Sequence, residues 1–71
     1  MKRYLEFVGG SSAKFYEVTV RSNTVTIRFG RIGTEGQTQV KTLADADAAT
    51  AHAERLIESK LAKGYRETVP C

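Results

Sequence analysis

The hydrophobic period changes once along this chain, and that change limits what it can fold into. From residue 3 to about residue 42, short runs of alternating apolar and polar side chains are broken by glycine, serine and asparagine; from Asp45 the apolar residues recur at helical spacing. Residues 3–8 read as a first strand, stopped by Gly9-Gly10-Ser11-Ser12. In residues 14–21, Tyr16, Val18 and Val20 point one way and Phe15, Glu17, Thr19 and Arg21 the other, with the valine side expected in the core. Ser22-Asn23 is expected to turn tightly, asparagine supplying the left-handed residue. A third strand over 24–31 sets Val25, Ile27 and Phe29 on one face and Thr24, Thr26 and Arg28 on the other. A fourth, from Gln37 to about Thr42, is expected to turn Val40 inward and Gln39 and Lys41 outward, near Arg28, and Leu43 then anchors the entry to the helix.

In that helix Ala49, Ala53, Leu56, Ile57 and Leu61 form an apolar stripe, with Arg55, Glu58 and Lys63 outside it. Asp45 is the predicted N-cap, Asp47 lies in the first turn, and Gly64 stands where a C-terminal glycine belongs. Residues 65–69 can add a short final strand before Pro70. The predicted architecture is α+β: a small twisted antiparallel sheet of four to five strands, with one amphipathic helix packed on one face. The other face, which carries the arginines, is left partly open to water.

At 71 residues, one domain over residues 1–71 is expected, with a core too small to support a deep enzyme cleft. The content of 41% hydrophobic and 27% charged residues is that of a folded domain rather than a disordered tail. The sequence holds no apolar run of bilayer length and no signal-peptide core, so a cytoplasmic setting without a membrane partner is expected. Cys71 is the only cysteine, which leaves no internal disulfide to form. A net charge of +3 and a pI of 9.3 mildly favour an anionic partner. Arg21, Arg28, Arg31 and Lys41 all fall in the strand and turn region, while the acids are scattered there or gathered on the helix.

Between the third and fourth strands, Phe29-Gly30-Arg31-Ile32-Gly33-Thr34-Glu35-Gly36-Gln37 spends three glycines on reversing the backbone or bringing it close to another group. A turn at Thr34-Glu35-Gly36, with Gly36 as its left-handed residue, is expected. Phe29 and Arg31 bracket Gly30, setting a flat apolar surface beside a five-donor fork, a combination suited to a sugar or base next to a phosphate. Enzyme chemistry finds little support. His52 has no metal-ligand partners at a suitable spacing and reads as a helical histidine beside the apolar stripe; Ser11 and Ser12 have no base near them in sequence. Gly30 and Gly33 precede neither a Walker lysine nor a helix, so no nucleotide loop, metal site or cofactor is expected.

Residues 3–7 (Arg-Tyr-Leu-Glu-Phe), 14–18 (Lys-Phe-Tyr-Glu-Val), 29–37, and the run from Lys60 that ends Lys63-Gly64-Tyr65 closely resemble the WGR domain over almost the whole chain. The family is named for a Trp-Gly-Arg triplet at the position of Phe29-Gly30-Arg31, and this sequence departs from it by placing phenylalanine first. The resemblance is to a stand-alone, bacterial-type version of the domain. It implies a small antiparallel sheet with one helix, in agreement with the reading above. In poly(ADP-ribose) polymerases such domains help recognise DNA breaks, the aromatic packing on a sugar at a strand terminus while nearby groups hold backbone and 5′ phosphate. Carried over, this gives Phe29 the packing role and leaves Arg31 for phosphate, a neighbouring protein, or both.

Two functions of different classes follow. The first is a non-catalytic DNA-binding module that recognises ends or nicks through the sugar-phosphate backbone, using Arg28, Phe29, Gly30, Arg31 and Lys41, and in a bacterium associated with the nucleoid. The second is a protein-interaction module using the same rim with a separately encoded partner. Strand parity assigns Phe29 to the core and the resemblance assigns it to an exposed platform. Arg31 has an alternative of its own, an ion pair with Glu35 across the turn.

Overall fold

The computed structural model describes residues 1–68. In chain order the elements are β1 (Lys2–Gly9), β2 (Ser12–Arg21), β3 (Thr24–Arg31), β4 (Gln37–Thr42), α1 (Ala46–Ala62) and β5 (Arg66–Thr68). The strands pair antiparallel in one sheet ordered β4-β3-β2-β1-β5. Because α1 joins β4 to β5, the helix carries the chain from one edge of the sheet to the other. The final strand falls within the predicted 65–69; Val69 lies outside the described residues. Among the described residues no helix is long and apolar enough to cross a membrane.

Strand parity places the core where the alternation predicts. Leu5, Tyr16, Val18, Val20, Val25 and Ile27 meet Ala49, Ala53 and Ile57 of α1. Ala49 and Ala53 are wholly buried, and their small side chains let the helix backbone approach the sheet. Leu43 and Leu56 pack at the margin, whereas Leu61, the last of the predicted stripe, is exposed. Asp45 caps α1 by accepting the Ala48 amide at 2.8 Å, an interaction worth about 1 kcal/mol.

Three expectations are corrected. At the β2–β3 turn it is Ser22, not Asn23, that takes the left-handed conformation (φ 55°). Asn23 is committed elsewhere, donating its amide to the Leu43 carbonyl at 3.1 Å, which ties this turn to the entry of α1. Val40 does not face inward: Val25 stands opposite Lys41, Ile27 opposite Gln39 and Arg28 opposite Thr38, and directly opposed residues share a face. Gln39 and Lys41 are therefore on the helix side, and Val40 is on Arg28's side, 64% exposed. A one-residue shift of register reverses every side chain of a strand, and here nothing covers β4 to demand the other phase: all six of its residues are exposed. Phe15 does point away from the main core, yet it is only 3% exposed. Tyr4 stacks on it at 6.1 Å, the Arg28 guanidinium lies 4.7 Å from its ring centre, and Gly36 presses against its far edge. The open face thus has a small apolar cluster of its own.

The β5 edge is held to β1 by an ion pair that has a pH signature. Arg3 donates to both carboxylate oxygens of Glu67, through Nε to Oε2 and through Nη2 to Oε1 at 2.6 Å. These hydrogen bonds hold the Glu67 carboxyl below its ordinary value of 4.5, and the same contact raises Arg3. A depressed carboxyl stabilises the fold above its unfolded value and loses that contribution as pH falls through the folded one. Acidification below 4.5 should therefore free β5 first. Amide exchange at Arg66, Glu67 and Thr68 is expected to accelerate before exchange in β2 or β3 does, and Glu67→Gln should abolish this early step. Both side chains are about one-third exposed, so the effect on global stability is small.

Candidate functional site

The end of the sheet formed by the β1–β2 hairpin, the end of β3 and the end of α1 gathers aromatic rings and cations on one face. Phe7 lies opposite Lys14, Lys14 opposite Arg31, and Tyr16 opposite Phe29, so all five share the helix side of the sheet. The helix then adds its own end. Lys63 closes α1; the Gly64 amide donates to the Leu61 carbonyl at 3.1 Å and the Tyr65 amide to the Lys60 carbonyl at 3.0 Å, with Gly64 at φ +102°. This is a Schellman motif, and it requires a residue that tolerates the left-handed region at position 64. A side chain there would also crowd Phe7, whose Cε2 lies 3.1 Å from where a Cβ would sit. The motif turns Tyr65 back onto the sheet.

A row of four rings results. Centroids are 5.5 Å apart between Phe7 and Tyr65, 6.4 Å between Tyr65 and Tyr16, and 6.4 Å between Tyr16 and Phe29. The Lys60 ammonium rides on the row, 4.7 Å from the Tyr16 centroid and 5.5 Å from that of Tyr65, and the Lys14 ammonium is 5.5 Å from Phe7. Burial, and then the neighbouring Lys63 and Lys14 cations, pull the Lys60 amine below the usual lysine value, while burial pushes the Tyr16 phenol up. Lysines held this close repel one another, and an anion arriving among them relieves that repulsion. Lys14, Arg31 and Lys60 make no ion pair among the described residues.

Phe29 stands at the margin of the core and is half-buried. One side packs against Tyr16 and the core, and part of the ring stays exposed. Gly30 is small for a clear reason: a Cβ there would fall 2.8 Å from the Gly36 Cα, where the two ends of the loop cross. The loop closes earlier than predicted, through the Thr34 amide to the Arg31 carbonyl at 3.1 Å, reinforced by the Thr34 hydroxyl at 2.7 Å. Gly33 has φ +95° at the third position of this turn, and Gly36, as predicted, is left-handed at φ +71°. Arg31 lies in a recess of about 300 Å³ with Ser11, Ser12, Ala13 and Lys14. No ion pair joins it to Glu35; the Glu35 carbonyl instead accepts from Arg28 Nη1 at 3.0 Å.

The structure divides the residues singled out from sequence. Phe29, Gly30 and Arg31 belong to this end of the sheet, but Arg28 is on the opposite face, engaged by Glu17 at 3.4 Å, by the Glu35 carbonyl and by the Phe15 ring. Lys41 is on the helix side but further along the sheet, opposite Val25. The expected grouping of Arg28 with Lys41 is therefore not formed. Lys14 and Lys60 take their place, and the sequence offered only weak signals for them: Lys14 shares parity with Tyr16, and Lys60 precedes the helix stop by one turn.

These features match a known family. The WGR domain profile matches residues 1–70. This chain belongs to the WGR family. WGR domains are in general small nucleic-acid-binding modules without catalytic activity. Curated relatives include the Escherichia coli K12 protein YehF, 38% identical over 65 residues, covering 92% of this chain and 24% of that protein. The uncharacterized E. coli protein YfeS is 27% identical over 67 residues, covering 94% of this chain and 28% of its own. A crystal structure of a Bacteroides fragilis protein superposes with a TM-score of 0.93 at 43% identity, over 97% of this chain and 20% of the other. The chain thus spans between a fifth and a little over a quarter of these relatives' lengths.

Proposed function

We propose that this WGR domain binds DNA at ends or nicks, holding the sugar-phosphate backbone rather than reading bases, and that it acts without catalysis. One arrangement carries the reading: Arg31, Lys14 and Lys60, with no carboxylate partner among the described residues, stand on the same face as a row of four rings that ends on β3 at Phe29. The recess between Arg31 and Lys14, with serine hydroxyls at its side, suits a terminal phosphate, since guanidinium offers a planar fork and ammonium a compact charge. In this reading the half-buried Phe29 ring packs against the last sugar. Lys60 neutralises the backbone further along.

The test is binding to matched blunt, nicked, single-stranded and covalently closed DNA, with and without a 5′ phosphate. The phosphorylated end or nick is expected to bind best. Phe29→Trp, which restores the family aromatic, should tighten end binding by about 1 kcal/mol through added stacking area and leave closed duplex unchanged. Equal affinity for every DNA, or none at low salt, would overturn the proposal.

A further inference from the structure

A second binding surface adjoins the aromatic row at Tyr16 and runs out to the β4 edge, where the sheet extends past the helix. Strand β4 is an edge strand, and beside it Tyr16, Ile27, Gln39, Val40, Lys41, His52 and Leu56 enclose a groove of about 550 Å³ between strand and helix. Tyr16, Ile27 and Leu56 make its floor apolar. Its rim carries Lys41 and His52, with no carboxylate among the lining residues. The outer backbone of β4 is available as well. The Leu43 amide donates to the Asn23 carbonyl at 2.8 Å, and hydrogen-bonded pairs alternate along an antiparallel ladder. Gln37, Gln39 and Lys41 therefore bond toward β3, leaving the amides and carbonyls of Thr38, Val40 and Thr42 pointing outward.

We infer that this edge and groove take up an extended, acidic segment of a partner protein as an added strand. The outward backbone groups supply strand pairing, and the groove supplies side-chain selection. A residue placed opposite Lys41 projects toward Lys41 and His52, where a carboxylate is favoured; the one two positions further on, opposite Gln39, enters on the same side and favours an apolar side chain. The residue between them meets Val40 on the other face. An edge lysine commonly discourages indiscriminate strand pairing. Here it discourages cationic strands and admits acidic ones. A second copy of the chain fits less well: two β4 strands paired antiparallel about Val40 would bring Gln39 and Lys41 to the grooves, neither apolar nor acidic.

A random heptapeptide display library, selected on the full chain, provides the probe. Enriched peptides should carry an acidic and an apolar residue two positions apart, and synthetic copies should shift the amide resonances of Thr38, Val40 and Thr42 while leaving those of Lys14 and Arg31 in place. Val40→Pro removes an outward donor at an edge position that tolerates proline, and should weaken these peptides at least tenfold without lowering Tm. Lys41→Glu should switch the enriched residue from acidic to basic, and it decides the matter if Val40→Pro does not fold. The inference is overturned by peptides that bind both variants as well as the parent, by no enrichment over an unrelated domain, or by a dimer that Val40→Pro dissolves.

Discussion

Replacing Gly36 with alanine should destabilise the domain by roughly 3 kcal/mol or more, the sum of a left-handed penalty of ~1–2 kcal/mol and the crowding of a packed site. At φ +71° a Cβ would stand 2.8 Å from Phe15 Cζ and overlap the Phe29 carbonyl oxygen. Neither neighbour can yield cheaply, because Phe15 is fixed between Tyr4 and Arg28, and the Phe29 carbonyl belongs to the crossing with Gly30. Gly33 provides the internal comparison. It has φ +95° but open space around it, so Gly33→Ala should show the conformational cost alone. Urea unfolding followed by circular dichroism measures both. Equal losses for the two variants would mean that the loop ends do not cross closely.

The largest effect on binding is expected from removing together the three cations that have no carboxylate partner among the described residues. If Lys14, Arg31 and Lys60 each neutralise one phosphate, log K falls with log salt at a slope near −2.7 on duplex DNA, and Lys14→Gln, Arg31→Gln and Lys60→Gln combined should lower affinity about 500-fold at 0.1 M salt. The slope itself should drop toward zero. Arg28→Gln is the control, because that guanidinium is on the other face and already engaged by Glu17 and Phe15. It should leave the salt slope unchanged while costing some stability. Fluorescence anisotropy across a salt series gives slope and affinity together, and a triple variant that keeps the parent slope would remove these residues from the interface.

Much of the fold was legible because it rests on local rules. Alternation set the faces of β2 and β3, the period change marked α1, and Asp45 and Gly64 announced its ends. The phase of β4 was not legible, because a strand with every residue exposed carries no hydrophobic pattern to fix it. Phe15 was misjudged for a related reason: parity tells which way a ring points, and only tertiary structure brings Arg28 and Gly36 over it. The candidate site was half legible. Phe29, Gly30 and Arg31 are contiguous and stood out together. Lys14 and Lys60 come from distant segments, and they meet Arg31 only through strand register and the Schellman turn at Gly64.

Strands β1 and β5 are antiparallel neighbours, with Tyr4 opposite Thr68, so the chain enters and leaves this sheet at the same end. The aromatic row, from Phe7 and Tyr65 across to Phe29, lies toward the other end. Thr68 is level with Glu17 of β2, three residues beyond Tyr65 and about 10 Å from it at the usual rise per residue, whereas Met1 is level with Val20, further from the row. A longer polypeptide joined to both sides of such a module would head away from the proposed DNA-binding end, like a handle behind a tool head. If the proposed DNA binding holds, a fusion partner attached at residue 1, level with Val20, should leave the affinity intact.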